Sequence, residues 1–244
     1  MNEFHDKVAV VTGASSGIGK AVAVSLAKSG MYVCLVGKSK KKLKAIKRED
    51  LTNASFFRCY RADLSLDNDL RKLSERLERD FSKIDVLVHS AGVISLGRIE
   101  HSSIKDFDKH FSVNVRAPYY LTQRLIPLLR QSNGQVVFIN SSVALRQASG
   151  GISQYIMTKY ALRALADSLR DEVNSDGIRV ITIYPGQTAT PMQKKIYKVR
   201  GKKYQPECLL QPDNVAEALV SILALHQSAE ITDVSIRPFR KPIE

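Results

Sequence analysis

The chain has 244 residues, and 37 lysine and arginine residues against 24 acidic residues give it a formal net charge of +13. This length suits one large domain or two small ones. No apolar run is long enough to cross a bilayer and no N-terminal segment resembles a signal peptide, so we expect a cytoplasmic protein with no membrane partner.

Short apolar runs alternate with amphipathic segments along the chain, and no Pro/Gly/Ser-rich linker or internal repeat interrupts them. This βαβ alternation predicts an α/β fold, a single Rossmann-type doubly wound parallel sheet of about seven strands with helices on both faces. One domain is expected to span residues 1–244. The predicted strands lie near residues 8–12, 32–37, 55–60, 84–89, 135–140, 178–184 and 232–236.

A glycine-rich loop follows the first predicted strand and precedes a predicted helix. This context is typical of a dinucleotide-binding turn, because glycines let the backbone approach phosphate and the helix N-terminus offers unpaired N–H groups. A tight turn without a ligand is the alternative. We predict that the cofactor contacts of this loop are Gly13, Ser15, Ser16, Gly17, Ile18 and Gly19.

The segment after the second predicted strand is basic, with no acid between Gly30 and Arg48. A dinucleotide site selective for NAD usually places an acid here, whereas a basic residue accommodates the 2′-phosphate of NADP. The sequence therefore predicts NADP(H), with Lys38 and Ser39 as phosphate ligands. The alternative is a solvated helix face, which we expect in any case for Lys41, Lys44 and Arg48.

Three polar residues near the fifth predicted strand form a candidate proton-transfer group. Tyr155 and Lys159 lie four residues apart on a predicted helix and so share a face. A nearby ammonium group is expected to lower the pKa of the phenol toward the range useful for acid–base catalysis. Ser142 follows the strand, where its hydroxyl could bond a substrate carbonyl or simply cap a helix. An incidental Tyr and Lys on a helix are the alternative for the pair.

These motifs together resemble the short-chain dehydrogenase/reductase family over nearly the whole chain. The resemblance rests on Thr12 to Gly19, on Ser142, Tyr155 and Lys159, and on further matching residues. It implies that Ser142, Tyr155, Lys159 and Asn114 are catalytic, with Asn114 holding a water that links Lys159 to solvent. The further cofactor contacts it implies are Asp63, Leu64, Ala91, Gly92, Tyr155, Lys159, Pro185, Gly186, Thr188 and Thr190.

One residue departs from the family pattern. The family usually has Asn-Asn-Ala-Gly after the fourth strand, whereas this chain has His89-Ser90-Ala91-Gly92. His89 invites an acid–base assignment, but we favour a hydrogen-bonded structural histidine because Tyr155 already fills that role.

A second basic segment, from Met192 to Lys203, contains six basic residues and no acid. It falls in the region of the family's substrate lid, roughly residues 189–211. The segment could favour an anionic substrate, with Met192, Ile196 and Tyr197 as apolar lining, or it could be a solvated loop. The three cysteines, Cys34, Cys59 and Cys208, lack metal-ligand spacing, so no metal is expected.

The resemblance implies an NADP(H)-dependent enzyme that transfers hydride between nicotinamide and a carbonyl or secondary alcohol. The C-terminal sequence is more similar to relatives that act on small hydroxy acids, serine-like compounds or diketones than to 3-oxoacyl reductases. The alternative is a catalytically silent cofactor-binding or nucleic-acid-binding protein, with Tyr197 and Tyr204 as stacking residues, and we regard nucleic acid as an improbable partner. By analogy, helices around 103–130 and 155–173 form the interface of a homodimer or homotetramer.

Overall fold

The computed structural model describes residues 4–49, 54–146 and 150–239. Its seven strands are short and mostly buried, as expected for a sheet covered on both faces. They are β1 Val8–Thr12, β2 Tyr32–Gly37, β3 Phe57–Arg61, β4 Val86–His89, β5 Gln135–Ile139, β6 Arg179–Pro185 and β7 Asp233–Ile236.

Helices fill the connections between the strands. They are α1 Gly17–Lys28, α2 Lys40–Glu49, α3 Asp67–Asp80, α4 Ile104–Phe111, α5 Ala117–Arg130, α6 Ser153–Val173, α7 Pro191–Val199 and α8 Pro212–Leu223. A π-helical turn, Ser112–Arg116, joins α4 to α5. Short 3₁₀ helices occupy Ala54–Phe56, Ile99–His101, Ser142–Leu145, Asn174–Asp176 and Pro206–Cys208.

All adjacent strands pair in parallel, in the order β3-β2-β1-β4-β5-β6-β7. The direction of winding reverses between β1 and β4, because the chain first moves outward through β2 and β3 and then returns to the other side of β1. Ligands of such sheets bind beyond the carboxyl ends of the strands at this reversal. The glycine loop follows β1 and the Ala91-Gly92 pair follows β4, so both predicted cofactor segments lie at this point.

Two apolar cores lie on opposite faces of the sheet. Helices α1, α2 and α8 cover one face, and α1 packs directly against α8. Helices α3, α5 and α6 cover the other face with their regularly spaced leucines. In α3, for example, Leu70, Leu73 and Leu77 are buried, whereas Arg71 and Glu75 are exposed. This i, i+3, i+7 spacing is the amphipathic pattern that identified the helices.

The doubly wound parallel sheet of seven strands confirms the predicted fold class. The limits of β1 and β2 agree with the predicted ones, and those of the other strands differ by one or two residues; β3, for example, begins at Phe57 rather than at 55. The predicted domain limits, residues 1 and 244, lie outside the described residues. Within the described ranges, no helix combines the length and apolarity that a membrane span needs, and no cluster of His, Cys, Asp or Glu has the arrangement of a metal site.

Candidate active site

The glycine loop folds tightly against the segment that follows β4. Gly13 has a left-handed backbone with φ of 68°, and a methyl group on it would lie 2.7 Å from the Ala91 Cα atom. A methyl group on Gly19 would lie 2.5 Å from the Gly13 carbonyl oxygen. Only glycine fits these two positions, since both contacts are with backbone that cannot move aside easily. The glycine loop therefore exposes its backbone atoms, so that a ligand above the loop could approach them closely.

Helix α1 points its N-terminus into that space. It begins at Gly17, and its N-cap residue Ser16 is extended and makes no side-chain capping bond. The first turn contains no acidic residue. Backbone N–H groups at an uncapped helix N-terminus, together with the helix dipole, attract an anion. The geometry suits the diphosphate of a dinucleotide.

A cleft of about 420 Å³ opens above the loop at the carboxyl end of the sheet. It brings together residues from both halves of the sequence, so the predicted cofactor loop and the predicted proton-transfer pair share one cavity. The predicted site residues that line it are Gly13, Ser15, Ser16, Gly17, Ile18, Gly19, Lys38, Asp63, Leu64, Ala91, Gly92, Tyr155, Lys159 and Thr190.

Six predicted site residues are not among the residues that line the cleft: Ser39, Asn114, Ser142, Pro185, Gly186 and Thr188. Ser39 accepts a hydrogen bond from the Lys42 amide at 3.4 Å, at the start of α2. The Thr188 hydroxyl donates to the Gly186 carbonyl at 3.0 Å. The predicted cofactor contacts of Ser39, Pro185, Gly186 and Thr188 stay predictions, and so do the catalytic roles of Asn114 and Ser142.

The cleft also contains residues that sequence reasoning missed. Lys109 and Val113 lie one turn apart near the α4–α5 junction, a spacing that by itself gave no sign of a site. Ser90 adjoins the predicted Ala91-Gly92 pair and could have been included with it. The other missed lining residues are Gly37, Ala62, Ser65, Val93, Ile139, Asn140 and Pro191.

At one end of the cleft, Lys38 and Asp63 form an ion pair. The Lys38 Nζ atom lies 2.6 Å from the Asp63 Oδ2 atom. Burial alone would raise the pKa of Asp63, but hydrogen bonds from Lys38 and from the Ser65 hydroxyl and amide hold it below its ordinary value. The carboxylate is therefore ionised at neutral pH, and Lys38 is its counter-ion.

At the other end, Tyr155 and Lys159 lie on one face of α6, as predicted. The Lys159 Nζ atom lies 5.7 Å from the centre of the Tyr155 ring and donates a hydrogen bond to the Ile139 carbonyl at 3.0 Å. Lys159 is buried, and burial lowers the pKa of its ammonium group to about 8. An ammonium group with such a pKa can exchange protons near neutral pH.

The expected effect of Lys159 on the tyrosine is not observed. Burial raises the pKa of Tyr155 above its ordinary value, and hydrogen bonding with the Ser141 side chain opposes that rise. Burial and Ser141 account for this shift, and the Lys159 ammonium group donates to the Ile139 carbonyl at 3.0 Å. The expectation of a lowered phenol pKa is therefore wrong, because the pKa is raised.

Ser141, rather than the predicted Ser142, is the serine whose side chain influences Tyr155. Ser141 also caps the short 3₁₀ helix, accepting a hydrogen bond from the Val143 amide at 3.4 Å. Ser142 is the first residue of that helix and is partly exposed. The predicted role of Ser142 with a substrate carbonyl thus stays a prediction.

Asn114 lies in the π-helical turn between α4 and α5 and is almost completely buried. Its Oδ1 atom accepts from the Val93 amide at 2.8 Å, and its Nδ2 atom donates to the Val93 carbonyl and to the Thr158 hydroxyl, each at 3.0 Å. The side chain therefore joins the loop after β4 to α6. Single π-helical turns occur frequently at functional sites, and no feature of the sequence predicted this one.

His89 is buried beneath the sheet's covering helices and does not line the cleft. Its Nε2 atom lies 2.8 Å from the Thr122 hydroxyl, and its ring stacks on Phe138 with the two centres 5.1 Å apart. Burial lowers the pKa of the imidazole to about 3. The ring is therefore neutral at pH 7, which fits the structural role that we favoured.

The predicted lid begins beside the glycine loop. Thr190 caps α7 by accepting a hydrogen bond from the Gln193 amide at 3.2 Å, and its side chain packs against Gly17. Of the three predicted apolar lining residues, only Met192 faces the cleft. Tyr197 donates to Gln187 and stacks edge-on with Tyr204, so these rings are already engaged with the protein.

The basic residues of the lid are exposed, and none of them lines the cleft. The same is true of Lys41, Lys44 and Arg48 on α2. For the lid and for these three residues of α2, the observations favour the solvated interpretation over direct contact with a bound anion. The lid residues concerned are Lys194, Lys195, Lys198, Arg200, Lys202 and Lys203.

The sequence is similar to proteins of known family. The family model described as short chain dehydrogenase matches residues 7–201. An uncharacterized oxidoreductase of Staphylococcus epidermidis is 31% identical over 239 residues, which cover 98% of this chain and 100% of the relative.

Two solved structures resemble the fold closely. An alcohol dehydrogenase from the archaeon Thermococcus sibiricus, complexed with 5-hydroxy-NADP, has a TM-score of 0.86 and 28% identity, covering 98% of this chain and 100% of that chain. A 3-ketoacyl-(acyl-carrier-protein) reductase from Brucella melitensis, complexed with NADH, has a TM-score of 0.83 and 27% identity, covering 98% and 99%.

Proposed function

Because this chain belongs to the short-chain dehydrogenase/reductase family of oxidoreductases, we propose that it is an NADP(H)-dependent enzyme acting on a carbonyl or secondary alcohol. The observation that supports this most is that Tyr155 and Lys159 share one cleft with the glycine loop. A proton donor and a dinucleotide cradle in one cavity are what a carbonyl reduction needs.

The residues of the cleft fit a dinucleotide. Gly13 and Gly19 leave backbone exposed where a side chain would fill the space, and the uncapped start of α1 receives the diphosphate. Lys38 is the ligand for a 2′-phosphate, and Asp63 with Leu64 lies at the adenine end. Remaining contacts are assigned to Ser15, Ser16, Ile18, Ser39, Ala91, Gly92, Pro185, Gly186, Thr188 and Thr190.

Two observations support NADP(H) over NAD(H). Gly37 ends β2 where an acid selective for NAD would stand, and Lys38 follows it at the rim of the cleft. The Thermococcus relative was solved with an NADP derivative, whereas the Brucella relative was solved with NADH. Relatives from Escherichia coli and Burkholderia cenocepacia were likewise solved with NADPH and NADP, so the relatives favour the cofactor that Lys38 predicts.

In the reductive direction, the chemistry that a bound nicotinamide would supply is a hydride for the carbonyl carbon. Tyr155 donates its phenolic proton to the carbonyl oxygen as that oxygen gains negative charge. Lys159, with its lowered pKa, restores the proton to the tyrosine and holds the nicotinamide ribose. Ser142 orients the carbonyl, and Ser141 influences the phenol directly. Oxidation of an alcohol reverses these proton movements.

Asn114 has a positioning role in this proposal. Its side-chain amide already bonds Val93 and Thr158, so it keeps the wall of the cleft beside α6 in place. The predicted role of Asn114 in holding a water that links Lys159 to solvent stays a prediction. The substrate class is a small hydroxy acid, a ketone or a 3-oxoacyl compound, and the enzyme works in the cytoplasm as a homodimer or homotetramer.

Replacement of Tyr155 by phenylalanine tests the mechanism. Loss of the phenolic proton should reduce turnover by about 100-fold or more, while the affinity for NADPH stays unchanged because the ring is kept. The assays would use NADPH with a panel of small oxo acids, ketones and 3-oxoacyl thioesters, and NADPH fluorescence would report binding.

Tyr160→Phe provides the matched control. Tyr160 lies on the same helix, is exposed and donates to the Arg146 carbonyl outside the cleft, so its variant should turn over like the unmodified protein. Undiminished turnover in Tyr155→Phe would contradict the proposed role of the tyrosine.

A further inference from the structure

Asp63 is the one acidic residue among the described residues that line the cleft. Its Oδ1 atom accepts from the Ser65 amide at 3.2 Å and from the Ser65 hydroxyl at 2.8 Å. Its Oδ2 atom faces the Lys38 ammonium group at 2.6 Å. Both carboxylate oxygens are therefore engaged, and the position of the carboxylate is fixed by the loop that follows β3.

Lys38 is held much less firmly than Asp63. Its side chain is 75% exposed, whereas that of Asp63 is 18% exposed. Lys38 has three N–H donors, and the Asp63 carboxylate occupies one side of them. A phosphate that binds Lys38 must therefore share the ammonium group with the Asp63 carboxylate, which Ser65 holds in place.

Sharing of this kind weakens the binding of a phosphate. A phosphate monoester has about −1.5 to −2 charge at pH 7. With its oxygen about 2.8 Å from the ammonium nitrogen, the phosphate would lie within roughly 6 Å of the Asp63 carboxylate. Like charges at that distance repel, and the partly buried position of Asp63 limits screening by solvent.

We propose that Asp63 limits the preference of this protein for NADPH over NADH by partly neutralising Lys38. The inference rests on the proposed function. It concerns selectivity rather than affinity in general, since any contact of Asp63 with adenine is common to both dinucleotides. Taking the ratio of the dissociation constants of NADH and NADPH removes the contribution of adenine to binding. The contribution of the 2′-phosphate remains.

The experiment measures the dissociation constants of NADPH and NADH by fluorescence titration without substrate. Asp63→Asn keeps the size of the side chain and an oxygen that can accept from Ser65, so the loop should keep its fold. We expect the ratio of the NADH constant to the NADPH constant to rise about threefold to tenfold. Salt at about 1 M should reduce the rise.

A double-mutant cycle shows whether Asp63 acts through Lys38. Lys38→Met should lower the ratio, and adding Asp63→Asn to Lys38→Met should then raise it by a smaller factor, because only the direct repulsion between Asp63 and the phosphate is left to remove. Asp67→Asn is the control, because Asp67 is exposed, pairs with Arg116 and does not line the cleft. This variant removes the same charge four residues away and should leave the ratio unchanged.

The outcomes separate this inference from the proposed function. An unmodified protein that binds neither dinucleotide would overturn both. If both dinucleotides bind, an unchanged or lower ratio in Asp63→Asn would overturn this inference alone. An equal rise in the Lys38→Met background would also overturn it, because Asp63 would then act on the phosphate without Lys38.

Discussion

His89 and Tyr155 are both titratable side chains whose pKa values are moved by burial. The imidazole of His89 has its pKa lowered to about 3, and the phenol of Tyr155 has its pKa raised. The sequence predicted that Tyr155 and Lys159 share a helix face, because an i, i+4 spacing fixes that. It could not predict that the Lys159 ammonium group bonds the Ile139 carbonyl, since packing between α6 and β5 decides the direction of the side chain.

The buried imidazole makes the protein sensitive to acid. Between about pH 6.5 and pH 3, the unfolded chain takes up a proton at His89 that the folded protein does not. Stability should therefore fall with decreasing pH in this range, with a contribution of about 1.4 kcal/mol per pH unit from this residue. His89→Asn should remove that contribution, and urea unfolding at pH 6.5, 5.5 and 4.5 would measure it.

His101→Asn is the appropriate control for this series, because His101 is exposed. Its stability should follow that of the unmodified protein at each pH. Equal pH dependence in His89→Asn and the unmodified protein would show that His89 is not the buried neutral group described above.

At the scale of elements, the strand–loop–helix unit at the N-terminus was predictable from residue type. Val8 to Val11 form a buried strand, and the spacing of Gly13, Gly17 and Gly19 indicated the turn. The π-helical turn at Ser112–Arg116 was not predictable, because the segment has an ordinary helical composition. Its extra residue per turn is stabilised by the contacts of Asn114 with distant segments, which local sequence does not encode.

The close approach within the glycine loop gives a test at this scale. Gly19→Ala should favour the helical state of α1 locally, yet its methyl group would lie 2.5 Å from the Gly13 carbonyl oxygen. The loop must then shift, so we expect a destabilisation of about 1–3 kcal/mol and at least tenfold weaker NADPH binding. Thermal unfolding and fluorescence titration would measure the two effects.

Gly150→Ala is the matched substitution, since a methyl group there would have no atom of the described residues within 4 Å. It should bind NADPH like the unmodified protein. Normal affinity in Gly19→Ala would mean that the loop tolerates a side chain and does not need the close backbone contact.

At the scale of the whole molecule, the alternation of strands and helices was sufficient to predict the doubly wound sheet. The net charge of +13 was less informative. Charge runs such as Lys194 and Lys195 do not reveal which way their side chains face, and the structure places them in solvent. In the basic segment that follows β2, the lysine that lines the cleft is Lys38, which lies just before α2.

Three large hydrophobic side chains on α5 and α6 remain exposed, namely Tyr119, Met157 and Tyr160. The proposed interface between copies of the chain uses these helices, and burial of such side chains would stabilise it. Met157→Glu should therefore shift the protein toward monomer in analytical ultracentrifugation. Val199→Glu on α7 changes an exposed apolar residue outside the interface and should not. A monomeric unmodified protein at micromolar concentration would contradict the proposed assembly.

The packing of α1 on α8 has a consequence for synthesis of the protein on the ribosome. Residues of α1 such as Val22 and Leu26 share one core with Val215 and Leu219 of α8, nearly 200 residues later. Because translation proceeds from the N-terminus, this apolar face has no cover until almost the entire chain has left the ribosome. The nascent protein therefore exposes a surface prone to aggregation for most of its synthesis, and the sheet is sealed only by its last helix.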